Sequence, residues 1–408
     1  MSERKKILML TTQLGYGGAE TSFIRLANFL AQSMDVTVAL FTSDYGKGTY
    51  TTGHEPLNAP ITLLDDVNPC RRLHRWWRRI RALRALKQRH DATISFLSGA
   101  NLVNVLAGHN ARSIISLRGS RAHDPVGSKL QKFLFQYLFD PLMFHFAARI
   151  VPVSAGFKHE IQISGGARAL RKVVVISPFI EASTIASRLA ETVPEPYRSL
   201  RGQKVIVAVG RLSVEKGFQH LIRVFAALTK THAGVKLLLV GDGPMLQQLR
   251  TQCSALHLAM DDTAPGISSV IFAGYQKNPL PLMALSSLYA LTSATEGFPN
   301  VVLEAMAAGI PVIAANTPWG ARAILGDAHA RADATPHPTT RAHISDYGVL
   351  MPRIDKPEYE AEWVQIFDHY LRENVQAPTA AFHHVKDYDI SVVAPEWQRL
   401  LEGMEAHD

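Results

Sequence analysis

Two glutamates with seven residues between them, Glu296 and Glu304, stand in the stretch Thr295-Glu-Gly-Phe-Pro-Asn-Val-Val-Leu-Glu-Ala-Met-Ala-Ala-Gly-Ile-Pro-Val-Ile313. Gly297 and Pro299 put the first carboxylate in a loop, and the second falls in a helix-like run. Carboxylates accept hydrogen bonds from hydroxyl-rich ligands. The open N–H groups at a helix start meet phosphate oxygens. Upstream, Val209-Gly-Arg-Leu-Ser-Val-Glu-Lys-Gly217 carries Arg211 and Lys216 in a strand-to-helix loop. An arginine gives a planar fork and a lysine a point charge, so the two can meet one diphosphate. Fixed cations of this kind stabilise leaving-group charge without a metal. Asp65-Asp66 and Asp261-Asp262 are adjacent pairs, not an Asp-x-Asp motif, so no essential metal is expected.

These residues need elements to hold them. Short apolar runs at 7–10, 36–41, 61–64, 92–96, 113–117 and 149–153 read as strands, separated by helical segments at 21–32 and 71–90. A second series opens near residue 203, with strands at 205–209, 235–240, 270–272, 288–292 and 311–314 and a helix at 217–228. Apolar runs of this length between helices predict buried parallel sheets. The fold class expected is α/β, with two doubly wound Rossmann-like domains facing across a cleft and ligands at the carboxyl ends of the strands. Residues 1–180 and 203–357 are the expected domains, joined through a segment containing Pro178, Pro194, Pro196 and Gly202. Helices are expected over 358–408 and a loop insertion over 326–347.

The Glu296–Glu304 segment resembles the E-x7-E motif of retaining glycosyltransferases with the GT-B fold, in particular family 4. Glu-Gly-Phe-Pro before it and Leu-Glu-Ala-Met-Ala-x-Gly-x-Pro-Val-Ile after it carry the resemblance. So does Gly-Arg-Leu-x-x-x-Lys-Gly at 210–217. The resemblance implies transfer of a sugar from a nucleotide-diphosphate donor, with uridine donors favoured, to a hydroxyl of a lipid-linked or saccharide acceptor in cell-surface glycan assembly. It implies no cofactor beyond that nucleotide sugar as co-substrate. Arg211 and Lys216 would bind the donor diphosphate, Glu304 the ribose hydroxyls, and Glu296 the transferred sugar or charge at its anomeric centre. Gly297, Phe298, Asn300 and Val301 would approach by backbone, and residues near Gly241, Gly274 and Tyr275 would wall the base. It also implies that the C-terminal helices 358–408 cross back to the N-terminal domain.

On the N-terminal side, Gly15-Tyr-Gly-Gly-Ala-Glu20 follows the first strand. Glu20 stands where a dinucleotide fingerprint needs its last glycine, so that reading is poor, whereas the family's Gly-Gly-x-Glu loop fits. Gly17 and Gly18 would let the first helix come close to the donor. After strand 113–117 the family commonly has a histidine, and here Arg118 stands near that place. Arg118 could bind a phosphate of acceptor or donor, or His123 could take the missing role. Ala323 replaces a glutamate in the Thr317–Leu325 stretch. Double displacement needs a nucleophilic carboxylate that is not evident, so a front-face retaining reaction fits better. The alternatives are a sugar-nucleotide epimerase or phosphorylase of the same fold, and a silent nucleotide-sugar-binding or membrane scaffold protein.

Net charge is +8, and residues 71–90 hold eight arginines, one lysine and no acid. An excess of this kind favours anionic partners. Leu73, Trp76, Trp77, Ile80, Leu83 and Leu86 make an apolar stripe, so the expectation is a helix packed on the sheet whose arginines can face anionic lipid. Nucleic acid is not an expected partner, because no recognition module accompanies the charge. Two cysteines, Cys70 and Cys253, far apart in sequence, give neither a disulfide framework nor a metal spacing. The apolar part of the N-terminus is too short for a signal peptide. The expected location is cytoplasmic, with contact to the inner membrane face through the basic helix.

Overall fold

The computed structural model describes residues 4–15, 18–42, 56–65, 72–119, 128–260, 269–317, 319–326 and 339–404. The chain divides into two compact units. The first takes in described residues up to 179 together with 391–404, and the second takes in 180–390.

The first unit alternates β1 (Lys6–Thr11), α1 (Gly18–Leu30), β2 (Asp35–Leu40), β3 (Ile61–Leu63), α2 (Arg72–Lys87), β4 (Ala92–Phe96), α3 (Ser98–Leu106), β5 (Ser113–Leu117), α4 (Lys129–Leu134), α5 (Asp140–Phe146), β6 (Arg149–Pro152) and α6 (Phe157–Leu170). The six strands are parallel in the order β3-β2-β1-β4-β5-β6. The order reverses between β1 and β4, the place where doubly wound sheets open a crevice at their carboxyl edge. Strand β4 is buried from end to end, which accounts for its unbroken run of small and apolar residues.

The second unit runs α7 (Ala182–Leu189), β7 (Val205–Val209), α8 (Phe218–Leu228), β8 (Lys236–Val240), α9 (Leu246–Ala255), β9 (Val270–Gly274), α10 (Leu280–Ala284), β10 (Leu288–Leu291), α11 (Asn300–Ala307), β11 (Val312–Ala315), α12 (Ala321–Leu325), β12 (His343–Ser345), β13 (Gly348–Met351), α13 (Glu360–Arg372) and α14 (Thr379–His384). Its order is β12-β13-β11-β10-β7-β8-β9. All pairs are parallel except β12 on β13. Successive residues of β7 feed opposite faces: Val205 and Val207 enter one apolar layer, Ile206 and Ala208 the other. The antiparallel edge strand β12 falls inside the stretch read from sequence as a loop insertion. Three residues are too few to show a periodicity.

The C-terminal helix α15 (Ile390–Glu402) packs within the first unit. Trp397 meets Phe96 of β4 at 6.1 Å between ring centroids, and Phe23 of α1 meets the same ring at 5.2 Å. Lys5 caps the far end, donating to the carbonyls of Leu401, Glu402 and Met404 at 3.0–3.2 Å, a cation where the helix dipole is negative. The helices expected over 358–408 therefore divide, with α13 and α14 in the second unit and α15 in the first.

Helix α2 differs in one respect from the stripe read in its sequence. Trp76, Ile80, Leu83 and Leu86 face the core, but Trp77 is 72% exposed. One residue turns the helix by about 100°, so Trp76 and Trp77 cannot share a narrow stripe, and Trp76 takes the inward place. Among the described residues no helix is long and apolar enough to cross a membrane.

Candidate active site

The second unit reverses its strand order between β7 and β10, and the two loops that leave these strands carry the charges singled out above. Lys216 Nζ lies 2.6 Å from Glu296 Oε1. The two side chains are 25% and 13% exposed, so the pair is largely withdrawn from water. Ser293 Oγ donates to the same carboxylate oxygen at 2.7 Å. The loops are stitched together by backbone as well. Thr292 Oγ1 donates to the Lys216 carbonyl at 2.9 Å, and Ala294 N donates to the Glu215 carbonyl at 2.8 Å.

Gly217 makes that approach possible. It sits at φ +72°, and a Cβ there would meet the Thr292 carbonyl oxygen at 2.2 Å. Gly320, just before α12, closes the other side: a Cβ would meet Glu296 Cβ at 2.7 Å and Pro299 Cδ at 2.9 Å. Glu296 is thus held between two positions where no larger residue fits unless something shifts.

Arg211 is exposed and, among the described residues, forms no ion pair. Its loop is tied to the next: Leu212 N donates to the Asp242 carbonyl at 2.9 Å. Gly241 N donates to the Gly274 carbonyl at 2.8 Å, which brings those two turns together. Tyr275, one residue beyond, is 54% exposed. Helix α11 starts after Pro299 with no side chain capping its N-terminus, the arrangement that leaves amides open to an anion. The Asn300 side-chain oxygen at that start is enclosed without a hydrogen-bond partner. Gly297, Phe298, Val301 and Glu304 are half-buried. Phe298 and Val301 rest on the apolar layer, with Phe298 5.5 Å from the Tyr388 ring. Ala323, at the place of the missing glutamate, accepts from the Tyr388 hydroxyl through its carbonyl at 3.2 Å.

One residue was not anticipated from the sequence. Tyr289 lies buried in β10, and its hydroxyl is pushed well above the ordinary tyrosine value, first by burial and then by Glu296 and Glu304. The hydroxyl is therefore neutral and within electrostatic reach of both carboxylates of the motif. The polar letter in the apolar strand Leu-Tyr-Ala-Leu was the available signal.

Residues 191–340 match the glycosyl transferases group 1 family. The Lys216–Glu296 pair lies inside that matched stretch. An uncharacterized glycosyltransferase of Methanocaldococcus jannaschii is 27% identical over 57% of this chain and 58% of its own length. The Campylobacter jejuni N-acetylgalactosamine-N,N'-diacetylbacillosaminyl-diphospho-undecaprenol 4-alpha-N-acetylgalactosaminyltransferase is 27% identical over 58% of this chain and 60% of its own. This chain thus covers less than two thirds of either relative. Among solved structures, HepE of Anabaena in complex with UDP superposes with a TM-score of 0.73 at 21% identity, covering 97% of this chain and 99% of that one. The chain has the GT-B fold class, with two Rossmann-like parallel-sheet units.

In the first unit, Gly18 opens α1, and its carbonyl accepts from Ser22 Oγ at 2.9 Å. Burial pushes the Glu20 carboxyl up. Arg118 directly follows β5, with its guanidinium carbon 3.8 Å from the centroid of the Phe96 ring. Gly17, His123 and Cys70 lie outside the described residues.

Proposed function

We propose that this protein is a retaining glycosyltransferase that moves a sugar from a UDP-sugar to a hydroxyl of a lipid-linked or saccharide acceptor in cell-surface glycan biosynthesis. The observation that carries this reading is the Lys216–Glu296 pair, held at 2.6 Å across the point where the strand order of the second unit reverses, with Arg211 exposed in the same loop as Lys216. Each charge serves as the other's counter-ion. A donor diphosphate would compete for Lys216 and, with Arg211, replace that contact. Glu296 would then accept from a sugar hydroxyl, and Glu304 would accept from the ribose. The carbon–oxygen bond between sugar and diphosphate breaks, and a carbon–oxygen bond to the acceptor forms on the same face. The acceptor proton passes to the departing phosphate oxygen. Arg211 and Lys216 stabilise the charge that collects on the diphosphate. Tyr289, kept neutral, adds no third negative charge to the two carboxylates.

Two relatives support the substrate classes. HepE was solved with UDP, and the Campylobacter enzyme is named for a diphospho-undecaprenol acceptor. Contact with an anionic membrane surface belongs to the same reading. The outer side of α2 exposes Trp77 among Arg75, Arg78, Arg81 and Arg84. Helix α3 packs against both α2 and α5, and the segment from α4 to α5 exposes Leu130, Phe133, Tyr137, Leu138 and Phe146. An interfacial tryptophan with arginines and a nearby apolar strip fits a lipid headgroup layer.

The test is thermal stabilisation against a panel of sugar nucleotides, with Glu304→Ala and Lys216→Ala alongside. A ligand that binds only the native state raises the melting temperature. A shift with UDP-sugars that disappears in both variants is the expected result, and no shift with any sugar nucleotide would sink the reading. An inverted product anomer would refute the front-face step. Binding to vesicles that ignores lipid charge and salt would refute the membrane contact.

A further inference from the structure

We propose that Arg118 is a specificity-determining anion site in the first unit that takes a phosphate oxygen of the acceptor. The inference rests on the transferase reading for the word acceptor and on nothing but the first unit for the anion. Arg118 follows directly from β5 at the carboxyl edge of the sheet. Its guanidinium stacks on Phe96, the last residue of β4, and that ring is pinned by Phe23 and Trp397. Stacking satisfies the face of a guanidinium and leaves its in-plane N–H groups to find acceptors.

They have none. Nε is shut off from solvent without a hydrogen-bond partner, and no carboxylate among the described residues pairs with the side chain. Burial pushes its pKa down to about 9, which still leaves it cationic at neutral pH. Enclosed cations are normally paired. A preformed planar fork with no counter-ion is the protein half of a bidentate phosphate contact.

The rest of the unit keeps it in place. A buried chain of hydrogen bonds runs from Lys87 of α2 to Asn104 of α3, on to Ser95 of β4 and Asn101, and ends at the carbonyl of Ser116, two residues before Arg118. The second unit has its own pair of cations, Arg211 and Lys216, for the donor. A third, in the other unit, is most simply assigned to a second anionic substrate, one with a phosphate or diphosphate near the accepting hydroxyl.

The experiment is titration of the full-length protein with inorganic pyrophosphate, followed by calorimetry and by amide hydrogen exchange. Wild-type protein, Arg118→Gln, Arg118→Met and the Arg211→Ala/Lys216→Ala double variant are compared. Pyrophosphate is expected to slow exchange over residues 113–119 in wild type and in the double variant. In Arg118→Gln the affinity of that site should fall at least tenfold while UDP binding stays unchanged. The Gln and Met variants should melt no lower than wild type in the absence of ligand, because an uncompensated enclosed charge has been removed. Pyrophosphate binding equal to wild type in Arg118→Gln overturns the proposal. So does absence of protection at 113–119 in the wild-type protein, a readout that survives even if both variants fail to fold. Protection of 113–119 by UDP would make this a donor contact and overturn the acceptor assignment. Pyrophosphate protection there with no binding of any UDP-sugar would leave the anion site standing and remove the transferase reading instead.

Discussion

The six parallel strands of each unit follow the same order, but the two units differ in where they gather buried polar side chains. In the second unit, Ser213, Thr292, Ser293 and Thr317 are buried in the loops that leave the carboxyl ends of the strands. Both sheet faces beneath are covered by apolar layers. In the first unit, Lys87, Thr93, Ser95, Asn101, Asn104 and Ser113 are buried in the body of the unit, between β4, β5 and the helices over them. The second unit thus uses its polar groups to fix two charged loops against each other. The first uses them to fix the strand that leads into Arg118. One edge neutralises its half-buried lysine with a glutamate before any ligand arrives, and the other holds a guanidinium with no ion-pair partner among the described residues.

The largest effect should come from breaking the neutralised edge. On the proposed reading Lys216→Ala removes one of two cations from the departing diphosphate, and a single preorganised electrostatic contact is worth roughly 10²–10³-fold in turnover. Stability should hardly follow, because the cost of leaving Glu296 unpaired is limited by its residual contact with water and by Ser293. Steady-state kinetics beside a melting curve separates the two. A Lys216→Ala protein with unchanged kcat/KM would show that the pair is only structural.

Next comes the backbone that brings the loops together. Gly217→Ala must either leave φ +72° or push Thr292 away, because its Cβ would lie 2.2 Å from that carbonyl oxygen. Strain and displacement of this kind cost roughly 2–4 kcal/mol, a fall in melting temperature of about 5–12 °C for a unit of this size. Arg211 and Lys216 keep their identities in this variant, so loss of UDP binding would report the loop geometry alone. A melting temperature within a degree of wild type would show that the loop relaxes, and that the two charged loops are not fixed against each other at Gly217.

Much of this was legible from residue order. The alternation of short apolar runs with helices gave both sheets. The positions of Arg211, Lys216, Glu296 and Glu304 relative to strand ends placed them on one edge, because a strand of known direction fixes where its following loop emerges. Their contact was not legible. Lys216 and Glu296 are eighty residues apart, and each was assigned to a ligand, not to the other. Gly217 stood only as the last letter of the Gly-Arg-Leu-x-x-x-Lys-Gly segment and nothing local marks Gly320, since their constraint comes from chain segments distant in sequence. Trp77 was misplaced because two adjacent tryptophans look alike to a periodicity. Lys87 and Ser95 read as ordinary letters of a helix and a strand, Asn101 and Asn104 fell in no expected element, and nothing local marks a lysine as the start of a buried network.

That network supplies the smallest effect and the finest contrast. Lys87 is 1% exposed and donates to the Asn104 carbonyl and Oδ1 at 2.9 Å and to Ser113 Oγ at 2.6 Å. Burial pushes its pKa down to about 7 from the ordinary lysine value of 10.5. Between those values the unfolded chain holds the proton and the folded chain has lost it. Unfolding therefore takes up a proton in that window, and stability rises with pH across it. Below about pH 7 both states are protonated, so the slope vanishes and the cost of the enclosed charge is fully present. Lys87→Met keeps most of the side-chain volume, removes the charge and leaves the Asn104 and Ser113 acceptors unfilled. The variant should lose about 1–3 kcal/mol where the neutral amine was comfortable, near pH 9, and less near pH 6, where a buried charge goes with it. Chemical denaturation of both proteins from pH 6 to 9 checks this. Parallel stability curves would mean that Lys87 keeps its proton throughout, held by three acceptors. The interior of the first unit would then be as insensitive to pH as the apolar layers of the second.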